Sequence, residues 1–299
     1  YLDFTSGIAV TNLGHSHPLW VKQVSDQATK LVHCSNLFSI PEQVRLAERL
    51  SGRIGPGKLL FCNSGAEANE ALLKLSRLFG HQIRKTARPK VIVAKNGFHG
   101  RTLGALSATE SMKYRQGFEP LLPDFTFRCL NDLTGFKEAV DEDTVAILVE
   151  SIQGEGGVHS ASDEFLCGLE ELCANNNILL LLDEVQTGIA RTGEFLGFQK
   201  SGILPHAVAM AKGLGGGFPI GAIWVNEKHS SLFTPGTHGT TFGGSPLACA
   251  AAHAVLDVIE NEKLIERAKK MGKRFKAGLV ELDRKSTRLN SSHQIISYA

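Results

Sequence analysis

The sequence predicts an α/β protein with a mostly parallel central sheet flanked by helices. Short, almost continuous apolar runs alternate with helix-length stretches, and polar and glycine-rich clusters follow the ends of those runs. Apolar runs of this length suit strands that are buried on both faces, as they are in a parallel sheet. The alternation of strand and helix then indicates a doubly wound arrangement.

Five apolar runs are the predicted strands, at residues 59–62, 91–94, 145–149, 178–182 and 207–210. Helical patterns lie between them, and the clearest occupy residues 67–79 and 163–175. Because each strand is followed by a helix, neighbouring strands are expected to run in the same direction.

The helix at residues 67–79 has signals at both ends. Ser64 is the predicted N-cap, and Glu67 stands three residues later to complete a capping box. Gly80 is the predicted C-terminal stop. Apolar residues recur at spacings of three and four, which predicts one buried face. They are Ala68, Ala71, Leu72, Leu75 and Phe79.

The last part of the chain is predicted to be one long helix followed by a tail. Pro246 is favourable in the first turn of a helix, and an alanine-rich helical pattern continues from there to about Leu282. Residues 284–299 are polar, rich in serine and without periodicity. We expect this tail to be disordered or not native to the protein.

Composition excludes several classes of partner. The 299 residues carry 32 basic and 30 acidic side chains, a formal net charge of +2, so no electrostatic reason exists to expect nucleic acid or a membrane surface. The longest apolar run, residues 178–182, is too short to span a bilayer. The six cysteines form no C-x-x-C pair and are expected to be reduced, which favours a cytoplasmic or mitochondrial-matrix location.

Polar and glycine-rich clusters follow each predicted strand. They occupy residues 63–66, 96–101, 150–157, 183–186 and 212–213. In an open parallel sheet, ligands bind beyond the carboxyl ends of the strands. The sequence therefore predicts a ligand site at this edge of the sheet.

Two charged residues in these clusters suggest chemistry. Lys212 lies between a buried strand and a glycine-rich stretch, where desolvation would lower its pKa and free the amine to attack a carbonyl. Asp183 ends the most apolar strand, where a carboxylate needs a cationic partner such as a protonated pyridine nitrogen. Taken singly, Lys212 also fits a surface lysine, and Asp183 also fits a helix cap or, with Glu184, a metal ligand.

Small residues open the helix after the first strand. Ser64, Gly65 and Ala66 would let backbone N–H groups and the positive end of the helix meet a phosphate, in addition to plain capping. Residues 52–58 match the G-x-x-x-x-G-K pattern, but they lack the following Ser/Thr and precede a strand instead of a helix. The pair His15 and His17 sits in a turn without further patterned ligands, so we expect no metal site.

Six motifs together resemble the class III (ω-amino acid) aminotransferases in order and spacing. They occupy residues 63–69, 98–101, 153–157, 182–188, 211–221 and 238–246, and the resemblance extends from residue 1 to about residue 282. It implies the large domain of a fold-type-I enzyme dependent on pyridoxal 5'-phosphate, with an incomplete small domain. The implied domains are residues 1–40, part of the small domain or a dimer contact; 41–245, the cofactor-binding large domain; 246–283, an interdomain helix and the start of a truncated small domain; and 284–299, the tail.

The resemblance also implies residue roles. Lys212 would hold the cofactor covalently and then move a proton, and Asp183 would pair with the pyridine nitrogen. Gln186 would lie near the ring hydroxyl, and Phe98, followed by His99, would lie against the ring. The phosphate would be bound by Ser64, Gly65 and Ala66, and by Thr241 reaching from the neighbouring subunit of a homodimer.

Residues 3–10, 14–18 and 98–101 most resemble the family members that act on N-acetylornithine. This implies transfer of its terminal amino group to 2-oxoglutarate, in arginine biosynthesis. Arg101 would grip a substrate carboxylate through two parallel hydrogen bonds. Thr240 and Glu155 would also lie at the substrate, although the arginine that usually pairs with the latter has no counterpart here.

Two departures from the family pattern are Ser151, where proline is common, and Ala66, where threonine is common. Other amine donors remain open alternatives, namely ornithine, 4-aminobutyrate and succinylornithine. A class III relative with mutase or decarboxylase chemistry is a further alternative. The most distant alternative is a non-catalytic α/β scaffold that binds a nucleotide.

Overall fold

The computed structural model describes residues 1–285. The tail predicted at residues 284–299 lies outside the described residues from position 286 onward. Within residues 1–285 no helix is both long and apolar enough to cross a membrane. The same residues contain no group of three or more His, Cys, Asp or Glu side chains that could hold a metal ion.

Seven strands form the central sheet, and two short ones form a separate hairpin. The strands in chain order are β1 (Gly57–Cys62), β2 (Lys90–Ala94), β3 (Phe125–Arg128), β4 (Thr144–Glu150), β5 (Ile152–Gln153), β6 (His159–Ser160), β7 (Leu179–Asp183), β8 (Ala207–Met210) and β9 (Gly221–Asn226). The order across the large sheet is β1-β9-β8-β7-β4-β2-β3, and β5 pairs with β6.

Ten α-helices accompany the sheet within residues 1–285. They are α1 (Ser6–Ala9), α2 (Pro18–Ala28), α3 (Pro41–Ile54), α4 (Gly65–Phe79), α5 (Leu103–Ser107), α6 (Met112–Arg115), α7 (Leu133–Ala139), α8 (Asp163–Asn176), α9 (Pro246–Asn261) and α10 (Leu264–Lys285). The predicted helices at residues 67–79 and 163–175 are confirmed as α4 and α8.

All five predicted strands are confirmed, and they run in the same direction. Strands β2, β4, β7 and β8 are parallel to one another, whereas β9 is antiparallel to both β8 and β1. The single reversed strand therefore leaves β1 parallel to the other predicted strands. Sequence analysis did not identify β3 and β9. Strand β3 is a half-buried edge strand of four residues, and β9 follows directly on a glycine-rich loop.

The core lies on both faces of the sheet, as a parallel sheet requires. Every residue of β4 and β7 is buried. Alternate side chains of these strands point to opposite layers: Leu180 and Leu182 pack with α3, α8 and α9, while Leu179 and Leu181 pack with α4. The apolar face predicted for α4 is buried completely.

The N-terminus of α4 is capped by only half of the predicted box. Ser64 Oγ accepts a hydrogen bond from the N–H of Glu67 at 3.2 Å, as expected for the N-cap. The Glu67 carboxylate, however, accepts from the backbone N–H and the side-chain amide of Asn63, at 2.7 and 2.8 Å, instead of from Ser64. The prediction of a reciprocal box is therefore wrong by one residue, and Glu67 secures the strand end that precedes the helix.

The prediction that Gly80 ends α4 is confirmed in position, because α4 ends at Phe79, but Gly80 does not adopt the left-handed conformation that usually favours glycine at a helix end. Its φ is −57°, within the helical region, and the chain continues through a π-helical turn, Gly80–Arg84, that ends at Lys85 with a φ of 58°. Glycine is needed at this position for close packing instead. A Cβ on Gly80 would lie 2.8 Å from Pro89 and 2.9 Å from Val145.

The single long helix predicted from residue 246 to about residue 282 is wrong. Ser245 caps the start as predicted, but α9 ends at Asn261, Lys263 has a φ of 49°, and α10 begins at Leu264. Helix α9 is largely buried, whereas α10 exposes Phe275 and Leu282. The hydrophobic periodicity did not reveal the break, because the residues before the turn and the residues after it each follow a helical pattern.

The six cysteines are free thiols. Cys62, Cys173 and Cys249 are buried, Cys34 is half-buried, and Cys129 and Cys167 are exposed.

Candidate active site

The carboxyl ends of the parallel strands bring the predicted clusters to one edge of the sheet. Glu150, the last residue of β4, stands opposite Asp183, the last residue of β7, and Asp183 stands opposite Ala209 of β8. Lys212 follows β8 directly and begins a short 3-10 turn. Strand register thus places these charged residues side by side, as the parallel-sheet argument predicts.

Asp183 is buried and accepts three hydrogen bonds. Its Oδ2 atom accepts from the Asn69 side-chain amide at 2.7 Å and from His99 Nδ1 at 2.8 Å, while Oδ1 accepts from the N–H of Val185 at 3.0 Å. An ionised carboxylate offers about four acceptor positions, so one position on Oδ1 remains open to a further donor. Besides the pyridine nitrogen that the sequence predicts as its partner, Asp183 therefore has a histidine of the protein itself as a partner.

His99 is fully enclosed next to Asp183. Its backbone N–H donates to Thr109 Oγ1 at 3.0 Å, and its ring nitrogen Nε2 is buried without a partner among the described residues. Burial by itself lowers the pKa of the imidazole. The hydrogen bond and charge of Asp183, together with the charge of Glu150, outweigh burial and raise that pKa.

Lys212 is half-buried, and burial lowers the pKa of its amine. The carboxylates of Asp183, Glu155 and Glu150 oppose this effect, and the guanidinium of Arg191 adds to it. The lowered pKa is the direction that the sequence predicts, and it favours the neutral amine that attacks carbonyl groups. Lys212 also has a φ of 45°, a left-handed conformation that is uncommon for lysine.

The N-terminus of α4 is open toward the same edge. Among the described residues, the backbone N–H groups of Gly65 and Ala66 have no acceptor, so both can meet an anion. A Cβ on Gly65 would lie 2.6 Å from Val185 Cγ1. The absence of a side chain there lets the helix end approach the loop that carries Asp183.

Gln186 and Glu155 contact each other. Gln186 Nε2 donates to Glu155 Oε1 at 3.3 Å. A Cβ on Gly154 would lie 1.4 Å from Gln186 Oε1, so that glycine is required for this side-chain position. This hydrogen bond connects the clusters at residues 150–157 and 183–186. The sequence predicted that both clusters lie at the same edge of the sheet, but it did not predict this contact.

Arg101 lies over aromatic rings and forms no salt bridge among the described residues. Its guanidinium carbon is 4.2 Å from the centroid of the Tyr114 ring and 5.6 Å from that of Phe98, and the two rings meet edge to face at 5.5 Å. Arg101 is exposed, so the guanidinium stays accessible. Tyr114 was not recognised in the sequence because it lies outside the matching motifs.

The two threonines predicted at the site differ in their surroundings. Thr240 is half-buried, and its Oγ1 accepts from the Asn63 side-chain amide at 3.0 Å, which ties it to the end of β1. Thr241 is exposed.

Sequence reasoning did not assign Glu150 or Asn69. Glu150 is buried, accepts from the backbone N–H of Phe98 at 2.9 Å, and has a pKa that burial raises to about 7, with a further contribution from Asp183. Only strand register reveals that it adjoins Asp183. Asn69 lies within the motif at residues 63–69, but its contacts come from segments far away in the chain.

The chain also encloses a cavity of about 340 Å³ that is not part of this edge. It lies between α9, α10 and the segment at residues 189–191, and neither Lys212 nor Asp183 lines it.

The edge has the groups that pyridoxal phosphate requires. A buried carboxylate with one open acceptor position suits a protonated pyridine nitrogen, a lysine amine of lowered pKa suits an aldehyde, and free N–H groups at a helix start suit a phosphate. Together with the mostly parallel seven-stranded sheet, these features define a fold-type-I enzyme dependent on pyridoxal phosphate.

The chain belongs to the class III aminotransferases. The model of the family described as aminotransferase class-III matches residues 1–292. It is 49% identical to an acetylornithine aminotransferase of Caldanaerobacter subterraneus over 95% of this chain and 72% of the relative. It is 48% identical to one of Aquifex aeolicus, over 94% of this chain and 74% of the relative.

Solved structures agree with this family. An ornithine aminotransferase from Toxoplasma gondii superimposes with a TM-score of 0.93 at 34% identity, covering 97% of this chain and 70% of that one. An acetylornithine aminotransferase from Elizabethkingia anophelis superimposes with a TM-score of 0.84 at 36% identity, covering 95% and 70%. The protein is thus a transaminase dependent on pyridoxal phosphate.

Proposed function

We propose that this protein transfers the terminal amino group of N-acetylornithine to 2-oxoglutarate, a reaction of arginine biosynthesis. The observation that carries the choice of substrate is identity of 44–49% to several relatives that are named acetylornithine aminotransferases, each over at least 90% of this chain. The ornithine aminotransferase structures are 33–35% identical, which favours ornithine less.

Bound pyridoxal phosphate supplies an aldehyde carbon and a ring that withdraws electrons from the reacting carbon of the amine. Lys212 provides the amine that attaches the cofactor. Its lowered pKa keeps Nζ able to take a proton from the substrate carbon and to return it at a neighbouring atom. Asp183 would hold the ring nitrogen, because Oδ1 has an open acceptor position, and its negative charge would keep that nitrogen protonated.

The remaining cofactor contacts follow from the same edge. The N–H groups of Gly65 and Ala66, with Ser64 as the cap, hold the phosphate at the positive end of α4. Phe98 would lie against the ring, and His99 donates a hydrogen bond to Asp183 at 2.8 Å. Gln186 reaches the ring hydroxyl, held in place by its contact with Glu155.

Arg101 is the proposed carboxylate-binding residue. Its guanidinium is exposed and lies over two aromatic rings, which fix its plane without using its hydrogen-bond donors. It can therefore grip a carboxylate through two parallel N–H groups. Thr240 and Glu155 complete the substrate side of the site.

A homodimer with shared sites is part of the proposal. Thr241 is exposed, as required for a residue that reaches the phosphate in a neighbouring subunit. Beside it, Phe242 is 62% exposed, and Leu37 and Phe38 are 89% and 69% exposed. A second subunit would cover these apolar side chains.

We also propose a cytoplasmic location, or the mitochondrial matrix in a eukaryote.

The substrate is tested by a side-by-side assay. With 2-oxoglutarate as acceptor, N-acetylornithine should give the highest kcat/KM, ahead of succinylornithine, ornithine and 4-aminobutyrate. A higher kcat/KM for ornithine or 4-aminobutyrate would contradict the proposed substrate. Turnover of an amine without any oxo-acid acceptor would indicate mutase or decarboxylase chemistry instead.

The attachment of the cofactor is tested at Lys212. Lys212→Ala should lose the visible absorbance of the covalently bound cofactor, since no other amine is placed at the end of β8, and kcat should fall by several orders of magnitude. Lys58→Ala, at an exposed lysine near the start of β1, is the matched control and should keep both. Retention of the absorbance in Lys212→Ala would refute this assignment.

A further inference from the structure

Asn69 lies in the second turn of α4 and is buried, with 1% of its surface exposed. Its side-chain nitrogen donates two hydrogen bonds of 2.7 Å, one to the backbone carbonyl of His99 and one to Asp183 Oδ2. An amide nitrogen has two hydrogens, so both are committed to fixed acceptors. The acceptors come from two different segments, 30 and 114 residues away in the chain.

This arrangement decides which oxygen of Asp183 is available. Oδ2 receives the Asn69 amide and the His99 ring, and the N–H of Val185 occupies one position of Oδ1. The open acceptor position is therefore on Oδ1 alone. Without the amide of Asn69, Oδ2 would also have a free position, and the carboxylate could rotate to present either oxygen.

The same amide links Asp183 to the segment that carries Phe98. The carbonyl of His99 is held by Asn69, the N–H of His99 by Thr109, and the His99 ring by Asp183. A shift of the Phe98–His99 segment would therefore alter the hydrogen bonds of the carboxylate.

A purely structural role explains Asn69 poorly. Its side-chain oxygen is buried without a partner among the described residues, and a buried acceptor without a donor destabilises the folded state. Its neighbours Ala68, Ala71 and Leu72 are apolar and fully buried, so an apolar residue would fit the packing of this helix.

We propose that Asn69 is a positioning residue, which holds Asp183 with Oδ1 directed to the ring nitrogen and joins that carboxylate to the segment that covers the ring. This inference rests on the proposed function, because it takes the ring nitrogen as the partner of Asp183. Both N–H donors of Asn69 are used by His99 and Asp183, so its effect passes through those two residues.

The test uses Asn69→Leu, which has a similar volume and no donor, and Asn69→Asp, which keeps the shape and places a second carboxylate beside the first. Ser76→Ala is the matched control, since Ser76 is a buried polar residue of the same helix that bonds only to its own turn, at Leu73. The first readout needs no cofactor. It is the low-field proton resonance of the His99–Asp183 hydrogen bond, recorded in the cofactor-free protein with nitrogen-labelled histidine.

Both Asn69 variants should shift or lose that resonance, and kcat should fall at least about tenfold, the scale for removing a partner that orients a binding group. KM for the amine should stay within about twofold of wild type, because the substrate contacts remain. Ser76→Ala should leave the resonance, kcat and KM unchanged.

A wild-type resonance together with a wild-type kcat in Asn69→Leu would overturn the proposal. If the circular dichroism of Asn69→Leu departs from wild type, Asn69→Ala is measured in the same way, and the same result there overturns it. A wild-type protein that fails to take up pyridoxal phosphate contradicts the proposed function. Normal uptake with unaffected variants contradicts only the role of Asn69.

Discussion

Asp183 and Glu184 are neighbouring buried carboxylates with different hydrogen-bond environments. Asp183 accepts three hydrogen bonds and keeps one open position. Glu184 accepts four, which occupy its acceptor positions and bind the loop after β7 to the sheet. Its donors are Ser151 Oγ, Thr187 Oγ1 and the backbone N–H groups of Gly197 and Phe198. Ser151, which departs from the family pattern, thus has a defined partner.

At the same scale, Glu150 should make stability depend on pH. Its pKa is raised from 4.5 to about 7, chiefly by burial, so between these values the unfolded chain ionises while the folded protein keeps the proton. The stability contributed by this group is fully present below the unfolded pKa and is lost as pH rises through about 7. His99, with its raised pKa, acts in the same direction.

Glu150→Gln removes the titration but keeps an oxygen for the N–H of Phe98. The free energy of unfolding of the cofactor-free variant should therefore fall less between about pH 5 and pH 8 than that of wild type, by about 2–3 kcal/mol. Chemical denaturation at the two pH values measures this. Glu164→Gln, at an exposed position of α8, should keep the wild-type dependence. Equal pH dependence in Glu150→Gln and wild type would show that Glu150 titrates normally.

At the scale of elements, α4 joins the parts of the site. Its N-terminus presents the open N–H groups of Gly65 and Ala66, and its second turn carries Asn69. Its buried face packs on the sheet, and its C-terminal end meets Pro89 and Val145 at Gly80. The position of the helix end that would bind phosphate therefore depends on packing at the opposite end.

Substitutions at two glycines separate the effect of side-chain packing on stability from the effect of backbone conformational freedom. Gly80→Ala should destabilise the protein by about 1–3 kcal/mol, because the new Cβ would lie 2.8 Å from Pro89 and 2.9 Å from Val145. Gly52→Ala, in the exposed interior of α3 with open space around the new Cβ, should instead stabilise it by about 0.5–1 kcal/mol. Thermal denaturation of the two variants should move in opposite directions. A shift of the same sign in both would contradict the packing role of Gly80.

At the scale of the whole molecule, the N-terminal segment lies beside the loop that carries Thr240 and Thr241. The Asn36 amide donates to the carbonyls of Thr240 and Gly243 at 3.4 and 3.2 Å, and the His33 and Phe242 rings lie 5.2 Å apart. The exposed apolar side chains near this contact would face solvent in a monomer. The proposed subunit interface and the proposed second half of the site therefore coincide.

Replacing two of those side chains should dissociate the proposed dimer. The double variant Leu37→Ser and Phe242→Ser removes apolar area at positions that are 89% and 62% exposed. Analytical ultracentrifugation should show a dimer for wild type and a monomer for the variant, with loss of activity. Leu204→Ser, at a leucine that is 72% exposed elsewhere, should stay dimeric. A wild-type monomer with full activity would refute the shared site.

Local patterns predicted much of the fold and of the candidate site. The five strands and the edge where their ends meet follow from apolar runs of defined length and the polar clusters after them. Strand β9 was not predicted, because its place between β1 and β8 depends on pairing with residues far away in the chain. The break at Lys263 and the role of Gly80 were missed for a related reason, since both depend on what packs against the helix.

The amino-acid sequence by itself determined the class of the protein, the lysine and aspartate at the sheet edge, and the helix start that suits a phosphate. Those features depend on neighbours within a few residues. Tertiary structure decided how Asp183 is held. Two of its donors lie 114 and 84 residues earlier in the chain. Only the packing of α4 on the sheet, and the pairing of β4 with both β2 and β7, bring them within hydrogen-bond distance of one carboxylate oxygen.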